Sequence, residues 1–579
     1  MKKQEQDDRG KNRAVFLAST YGEGEPTDNA VAFTRFLKQG EAKEDDDCDN
    51  DGEEKKGEEE IHTCFAGLEF SVFGLGNKQY EHYNAMGKII DMHLERLGGN
   101  RIVPLGLGDD DDDLEGDFET WKDTKLWPGL KKKYIKSSSV KDSVGGKSEK
   151  LPDCHYAIEY IDGPAPLDET PIENVHMSSK HYFTGVDCPV TVKRELRNPA
   201  DDGSTLHMEI DISNAGDKVT YQTADNLGIL PVNSDDDVSR LASALGYDLG
   251  AYIRLQPAPG HEMKHSVPFP NPCTIQECLA RYCDLNGPPR RSELKLLAPY
   301  AKDATSKKAL LRMASKEGKA EYKEKIVEAK IGIVDIISKL CPSIEMPLEH
   351  FISVCPRLHP RYYTISSSST VHPTSVHVTV SVLKETRADG SSFKGVCSNY
   401  LSDIISNGKV RIFARDSTFR LPTDAKKPII MIGPGTGIAP MRALLQERSH
   451  QKLSQKLKVG ENILYFGCKK RDLDFIYQYE LKAFEKEGTL TQMHLAFSRE
   501  QDKKVYVQHL LSKNAKDTWK LISKGGAYIY VCGGVKMGQD VSDALKRLIS
   551  EHGDFGTTDA KKYLDEMAKE GRFVQELWA

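Results

Sequence analysis

Short apolar runs that empty into glycine-containing loops occur at both ends of the chain, and a block of polar–apolar alternation lies between them. At the front, Ala14 to Ser19 (AVFLAS), Leu68 to Phe73 (LEFSVF) and Arg101 to Pro104 (RIVP) lead into the loops YGEGEPTDN, GLGNKQYEHYN and GLGDDDDDLEGD. At the back, PIIMIG, NILYFG, QMHLAFS and AYIYVCG alternate with helical patterns. Such runs, separated by helices, belong to parallel sheets covered on both faces, whose loops gather at one edge where ligands bind. In the middle, STLHMEIDIS, DKVTYQTADNLGIL, RYYTIS and SVHVTVSVL alternate with period two. That predicts an antiparallel barrel, broken by a largely helical stretch from about Asp235 to Glu349. The expected fold class is multidomain α/β plus β-barrel.

A length of 579 residues gives room for roughly three to five domains. The net charge of -7, from 80 basic and 87 acidic residues, carries no nucleic-acid signature. Acidity is local: Glu41 to Glu60 predicts a disordered insertion, and Asp109 to Asp113 with Glu115 to Glu119 form a second run. From about Lys131 to Pro152 the composition turns to Lys, Ser and Gly, as in a solvated linker. The 12 cysteines include no CxxC pair, and Cys273, Cys278 and Cys283 are too far apart for a zinc knuckle. Reduced thiols and no metal are expected. The start, MKKQEQDDRGKNR, is charged, and no run approaches the roughly 20 apolar residues of a membrane helix. The chain as written is expected to be soluble.

Several segments offer ligand chemistry. In RYYTISSSS, Arg361 can neutralise a pyrophosphate, Tyr363 offers an aromatic face to a flat ring, and Thr364 carries a small hydroxyl. Small residues at Gly395, Val396, Cys397 and Ser398 allow backbone N–H groups at a helix start to approach a phosphate. GPGTGIAP is not GxGxxG, because Pro440 stands where the last glycine would be. It still follows a strand and opens a helix, so a pyrophosphate can reach the helix N-terminus. Ser498, Arg499 and Lys504 supply a hydroxyl and two cations suited to a ribose 2'-phosphate, with Tyr506 placed to stack on adenine and Gln508 to bond beside it. Tyr21 and Tyr80, in loops at one sheet edge, can sandwich a planar ring.

In order and content these segments resemble the diflavin reductases, from about Ala14 to Ala579. The resemblance implies an incomplete flavodoxin-like FMN domain over 1–130 and a linker over 131–175. An FAD-binding barrel over 176–412 follows, with its helical insertion, and then a ferredoxin-reductase-like NADP-binding α/β domain over 413–579. FMN would be lined by Ser19, Thr20, Tyr21, Gly22, Leu75, Gly76, Asn77, Lys78, Gln79, Tyr80, Glu81, His82, Tyr83, Asn84 and Asp109. FAD would meet Arg361, Tyr362, Tyr363, Thr364, the 395–398 loop, and Thr379, Val380 and Ser381 through their backbone. NADP would meet Arg194, Thr436, Ser498, Arg499, Lys504, Val505, Tyr506, Val507, Gln508 and Asp540. Hydride transfer would be assisted by Thr364, Cys532 and Glu576, with Trp578 covering the FAD ring. Thr364 replaces the usual serine and Glu576 the usual aspartate.

The implied function is NADPH-haemoprotein reductase, with electrons leaving through FMN to cytochrome P-450 or another haem protein docked on the acidic surface. Relatives sit at the cytosolic face of the endoplasmic reticulum on an N-terminal anchor. Alternatives are a single-flavin NADPH diaphorase and a non-catalytic interaction protein. The family's phosphate-cradling loop and first strands do not precede Ala14, so a bare strand edge and weak or absent FMN binding are expected. Purified protein should therefore hold less FMN than FAD, and an equimolar ratio would overturn that expectation.

Overall fold

The computed structural model describes residues 12–21, 24–38, 64–135, 151, 154–163, 179–260 and 268–578. They fall into two compact units, Met1–Ser148 and Glu149–Ala579. The acidic insertion at 41–60, Gly22 and most of the expected linker lie outside the described residues. No helix among the described residues is long and apolar enough to cross a membrane.

In the first unit, strand Asn12–Tyr21 pairs in parallel with Leu68–Gly76, which pairs in parallel with Asn100–Arg101 and Gly106–Asp109. Alternation on Leu68–Gly76 serves two cores: Phe70 and Val72 pack with Ile90 and Leu94, while Phe73 packs with Val103, Trp121 and Leu126. Among the described residues the other edge of Asn12–Tyr21 is paired only at its end, by Glu25–Pro26. Val15 and Leu17 are exposed on it.

One expected loop is a strand. Gly106 and Gly108 read as turn residues, yet a Cβ on either would come within 2.3 Å of Phe73 or Leu114. Here glycine serves close packing, not chain reversal. RIVP, in turn, is extended only at its first residue, within Asn100–Arg101. Helix Trp127–Tyr134 runs past residue 131, where the linker was expected to begin.

The second unit opens with the barrel. Its strands lie in the order Arg361–Thr364, Asn226–Leu230, Lys409–Arg415, Val186–Glu195, Ser204–Asp211, Ser375–Val382. An antiparallel bridge between Ile365 and Val378 joins the two ends and closes it. Of DKVTYQTADNLGIL only Asn226–Leu230 is a strand. The part before it turns because the Asp225 carboxylate accepts from the Gln222 and Ser417 N–H groups.

The stretch 235–349 is helical as expected but contains Tyr252–Pro257, which pairs with Tyr156–Ile161 from the expected linker and with Cys273–Thr274. A strand whose partners are distant in sequence gives no local sign of them. The last sheet is parallel, in the order Gln492–Phe497, Asn462–Cys468, Ile429–Ile432, Tyr528–Gly534, Phe573–Trp578. Its fifth strand was not foreseen, because FVQELW is polar at its centre and lies at the sheet edge.

GPGTGIAP crosses the end of this sheet. Gly435 has φ +57°, and a Cβ on Gly437 would sit 2.0 Å from the Cys532 carbonyl oxygen. Gly437→Ala should therefore cost roughly 1–3 kcal/mol, the usual range for overpacking, read as a lower urea midpoint; an unchanged midpoint would refute this close approach.

Candidate active site

The terminal strand places Glu576 beside Cys532, its register partner on Tyr528–Gly534. The Glu576 carboxylate accepts from Thr364 Oγ1 at 3.0 Å, Asn226 Nδ2 at 3.2 Å and Ser417 Oγ at 2.5 Å. Thr364 and Asn226 are themselves cross-strand partners in the barrel. Burial pushes the Glu576 carboxyl up, outweighing the Ser417, Thr364 and Asn226 hydrogen bonds that pull it down. Burial also pushes the Cys532 thiol well up, with the Glu576 charge adding to it, so it remains S–H. Three residues singled out from distant segments thus meet. Trp578, at the end of the same strand, is 45% exposed and free to move without disturbing a core.

Along Arg361–Thr364, Arg361 donates to the His359 carbonyl at 2.5 Å. Tyr362 is exposed beneath the Arg415 guanidinium, 5.3 Å from its ring centre. Tyr363 packs at the barrel core, and burial, then the Cys397 charge, push its hydroxyl well up. Gly395 caps helix Val396–Asp403 without a side-chain bond. The first intrahelical bond is from Asn399 N–H to Gly395, so the N–H groups of Val396, Cys397 and Ser398 precede it and suit a pyrophosphate. The Ser398 hydroxyl is engaged, accepting from Leu383 N–H and donating to the Gly395 carbonyl. On Ser375–Val382, Val380 lies in the barrel core, the Thr379 hydroxyl bonds Tyr477 and Ser381 is exposed. The backbone is what this strand offers a ligand.

At the parallel sheet, Ser498 and Arg499 N–H groups bond the Cys468 and Lys469 carbonyls, fixing the turn after Gln492–Phe497. Arg499 and Lys504 are exposed cations, and Tyr506 is 41% exposed at the start of helix Val507–Lys513. Gln508 Nε2 donates to Asp540 at 3.0 Å, joining two expected contacts. Val507 is buried in the sheet core with Val505 packed against it, so their side chains hold the loop and do not face a ligand. Thr436 lies in the short turn before helix Ile438–Leu453. Arg194 pairs with Glu480 at 2.9 Å on the flank of the barrel.

In the first unit, Thr20 Oγ1 accepts from Met86 N–H, and Asn84 Nδ2 donates to the Gly108 carbonyl. Both tie the start of helix Ala85–Arg96 to strand ends. Gly76 leaves room for Asn84, whose φ is 56°. The buried Asp109 accepts from Lys78 N–H at 2.9 Å and pairs with its ammonium at 3.1 Å. Burial would raise the Asp109 carboxyl, but the Lys78 hydrogen bonds hold it below its ordinary value. Asn77 Oδ1 accepts from Gln79 N–H, Tyr80 is half-buried, and Tyr83 lies under the Lys78 and Lys88 ammonium groups. Leu75 is half-buried, while Glu81 and His82 are exposed; of Ser19 and Tyr21 the strand position is described. These contacts hold the loop after Leu68–Gly76 against helix Ala85–Arg96 and Gly106–Asp109.

Three family models match the chain: "Flavodoxin" over residues 2–121, "FAD binding domain" over 176–400 and "Oxidoreductase NAD-binding domain" over 431–543. NADPH–cytochrome P450 reductase of Rattus norvegicus is 38% identical over 580 residues, covering 98% of this chain and 81% of the relative. The Homo sapiens protein of that name is 38% identical over 576 residues (98% and 80%), and that of Salmo trutta 38% over 575 residues (98% and 88%). The chain belongs to the diflavin reductase family. It is a flavoprotein oxidoreductase with the FMN, FAD and nicotinamide dinucleotide domains of that family.

A diflavin reductase reading of the motifs did not single out Asn226, Ser417 or Arg415. All three lie on or just after barrel strands, and only the pairing of Arg361–Thr364, Asn226–Leu230 and Lys409–Arg415 side by side brings them to Thr364 and Tyr362. The raised Glu576 carboxyl has a definite sign in stability. The native state holds that proton more tightly than the unfolded chain, so its contribution is present below the ordinary carboxyl range and is lost as pH rises through the native value. Urea unfolding should show Glu576→Gln gaining stability relative to the parent as pH rises from the acid range to neutrality; a change of opposite sign would contradict the burial.

Proposed function

We propose that this chain takes hydride from NADPH and delivers single electrons to a haem protein of the cytochrome P450 type. FAD and FMN, when bound, supply the step from a two-electron donor to one-electron transfers. The observation that carries the reading is the meeting of Thr364, Cys532 and Glu576 at the seam of barrel and sheet. Thr364 donates its proton to Glu576 and is held beside Cys532, so a hydroxyl, a thiol and a carboxyl of raised proton affinity line one point. That set can orient a nicotinamide and offer a group of raised proton affinity next to it. Trp578, exposed at the end of the same strand, would cover the flavin face and would swing aside for a nicotinamide.

Arg361 and the N–H groups after Gly395 bind the FAD pyrophosphate, and Tyr363 flanks its ring. Ser498, Arg499 and Lys504 bind the 2'-phosphate that separates NADPH from NADH. In the first unit, residues 75–84 and 19–21 would line an FMN ring, with Asp109 holding Lys78 in place. A place at the cytosolic face of the endoplasmic reticulum beside the acceptor follows.

The acidic run is partly internal. Asp113 caps helix Leu114–Trp121 by accepting from Gly116 N–H, and Asp117 accepts from Asp109 N–H. Asp110, Asp111 and Asp112 are exposed and provide the field that steers a basic haem protein. NADPH-driven reduction of ferricyanide and of cytochrome c tests the whole reading. Reduction of both is expected; ferricyanide alone would mean a single-flavin diaphorase, and neither an interaction protein. Converting Asp110, Asp111 and Asp112 together to Asn should lower kcat/KM for cytochrome c about tenfold at low salt, leave ferricyanide unchanged, and lose its effect as salt is raised.

A further inference from the structure

The barrel carries a cluster whose three side chains are not among the flavin and nicotinamide contacts proposed above. Strands Ser204–Asp211 and Ser375–Val382 are antiparallel, with His377 directly opposite Glu209 and Thr379 opposite His207. Side chains two apart on a strand share a face, so His207, Glu209 and His377 project together. His207 Nε2 lies 3.1 Å from Glu209 Oε1, and His377 Nε2 lies 3.7 Å from Glu209 Oε2. One ligand atom from each falls within 4.8 Å of the others. A tetrahedral zinc ion with bonds near 2.0–2.1 Å holds its ligands about 3.3 Å apart. We propose that His207, Glu209 and His377 form a binding site for a borderline divalent cation of the zinc type.

A second observation points the same way. His377 is 2% exposed, yet its Nε2 has no hydrogen-bond partner, and 3.7 Å to Glu209 is too long for one. Buried ring nitrogens are seldom left so, and a cation between the two groups would use both. His207 is also oriented from behind. Its Nδ1 bonds Tyr477 Oη at 2.9 Å, and that hydroxyl bonds Thr379 Oγ1 at 2.8 Å. Such outer partners set the tautomer and free Nε2 for a metal. Glu209 is the exposed member, 31% on its side chain, so it gives access from solvent and room for a water as fourth ligand.

The surrounding charge narrows the metal. Arg442 approaches His377 Nδ1 at 3.5 Å, and it and Arg194 share Glu480. With two arginines near and one carboxylate in the set, charge attraction alone is weak, and nitrogen coordination must supply the affinity. That favours zinc, cobalt or copper over calcium and magnesium, which need oxygen ligands. Because Tyr477 belongs to the core of the C-terminal sheet domain, an occupied site would tie that domain to the barrel.

The test is cobalt titration of chelator-treated full-length protein, followed by displacement with zinc. About one ion per chain is expected, with a visible spectrum of nitrogen and oxygen ligation, displacement by zinc but not by calcium or magnesium, and a raised melting temperature. Glu209→Gln, at a partly exposed position, should weaken binding at least tenfold, as should His377→Ala if circular dichroism shows it folded. Tyr477→Phe should weaken it about tenfold while keeping the stoichiometry, as loss of an outer partner does. The proposal is overturned if cobalt does not bind, if a thiolate charge-transfer band shows cysteine ligation, or if Glu209→Gln binds as the parent does.

Discussion

Glu576 is carried by the terminal strand of the parallel sheet, while Asn226, Thr364 and Ser417, which donate to its carboxylate, belong to the barrel and the turn that leaves it. A carboxylate taken from water needs such donors, or it takes up a proton. The pairing of Arg361–Thr364 with Asn226–Leu230, the turn at Ser417 and the fifth strand therefore depend on one another: displacing any of them leaves a half-buried acid with too few partners. The same seam is where the proposed function brings nicotinamide and flavin together. The stability of the junction and its chemistry are thus one arrangement.

Glycine plays two unlike parts around the ligand loops. In GPGTGIAP the Gly437 Cα lies against the Cys532 carbonyl, so the turn can sit low over the end of the sheet and aim a helix start outward. In GLGD the same residue type lets a strand lie flush on Phe73 and Trp121, and Asp109 at its end then reaches Lys78. Sequence pattern alone cannot separate these uses, because the lack of a Cβ permits both a turn and a close approach. That is why the second was read as a loop.

The candidate flavin and nicotinamide segments could be read from sequence because they are contiguous words: RYYT, GVCS, GPGTG and SREQ each lie on one turn or strand end. Residues that enter by tertiary contact were not legible. Val507 was taken for a ligand contact, although its side chain is in the core. The strand Tyr156–Ile161 was assigned to a linker because its partner Tyr252–Pro257 lies in another segment. His207, Glu209 and His377 were passed over because HxE on one strand and a single histidine on another match no metal spacing until the register places them opposite each other.

By itself the sequence determined most of the parallel strands and several barrel strands, and marked short words suited to phosphate, ring and hydride chemistry, because periodicity and local turn chemistry act within a few residues. The tertiary structure alone decided how the barrel closes through Ile365 and Val378 and that Glu576 rests between Thr364 and Cys532. It also decided that two histidines and a glutamate share one face. Each of these is a pairing between residues far apart in the chain, set by packing and burial, which no local pattern encodes.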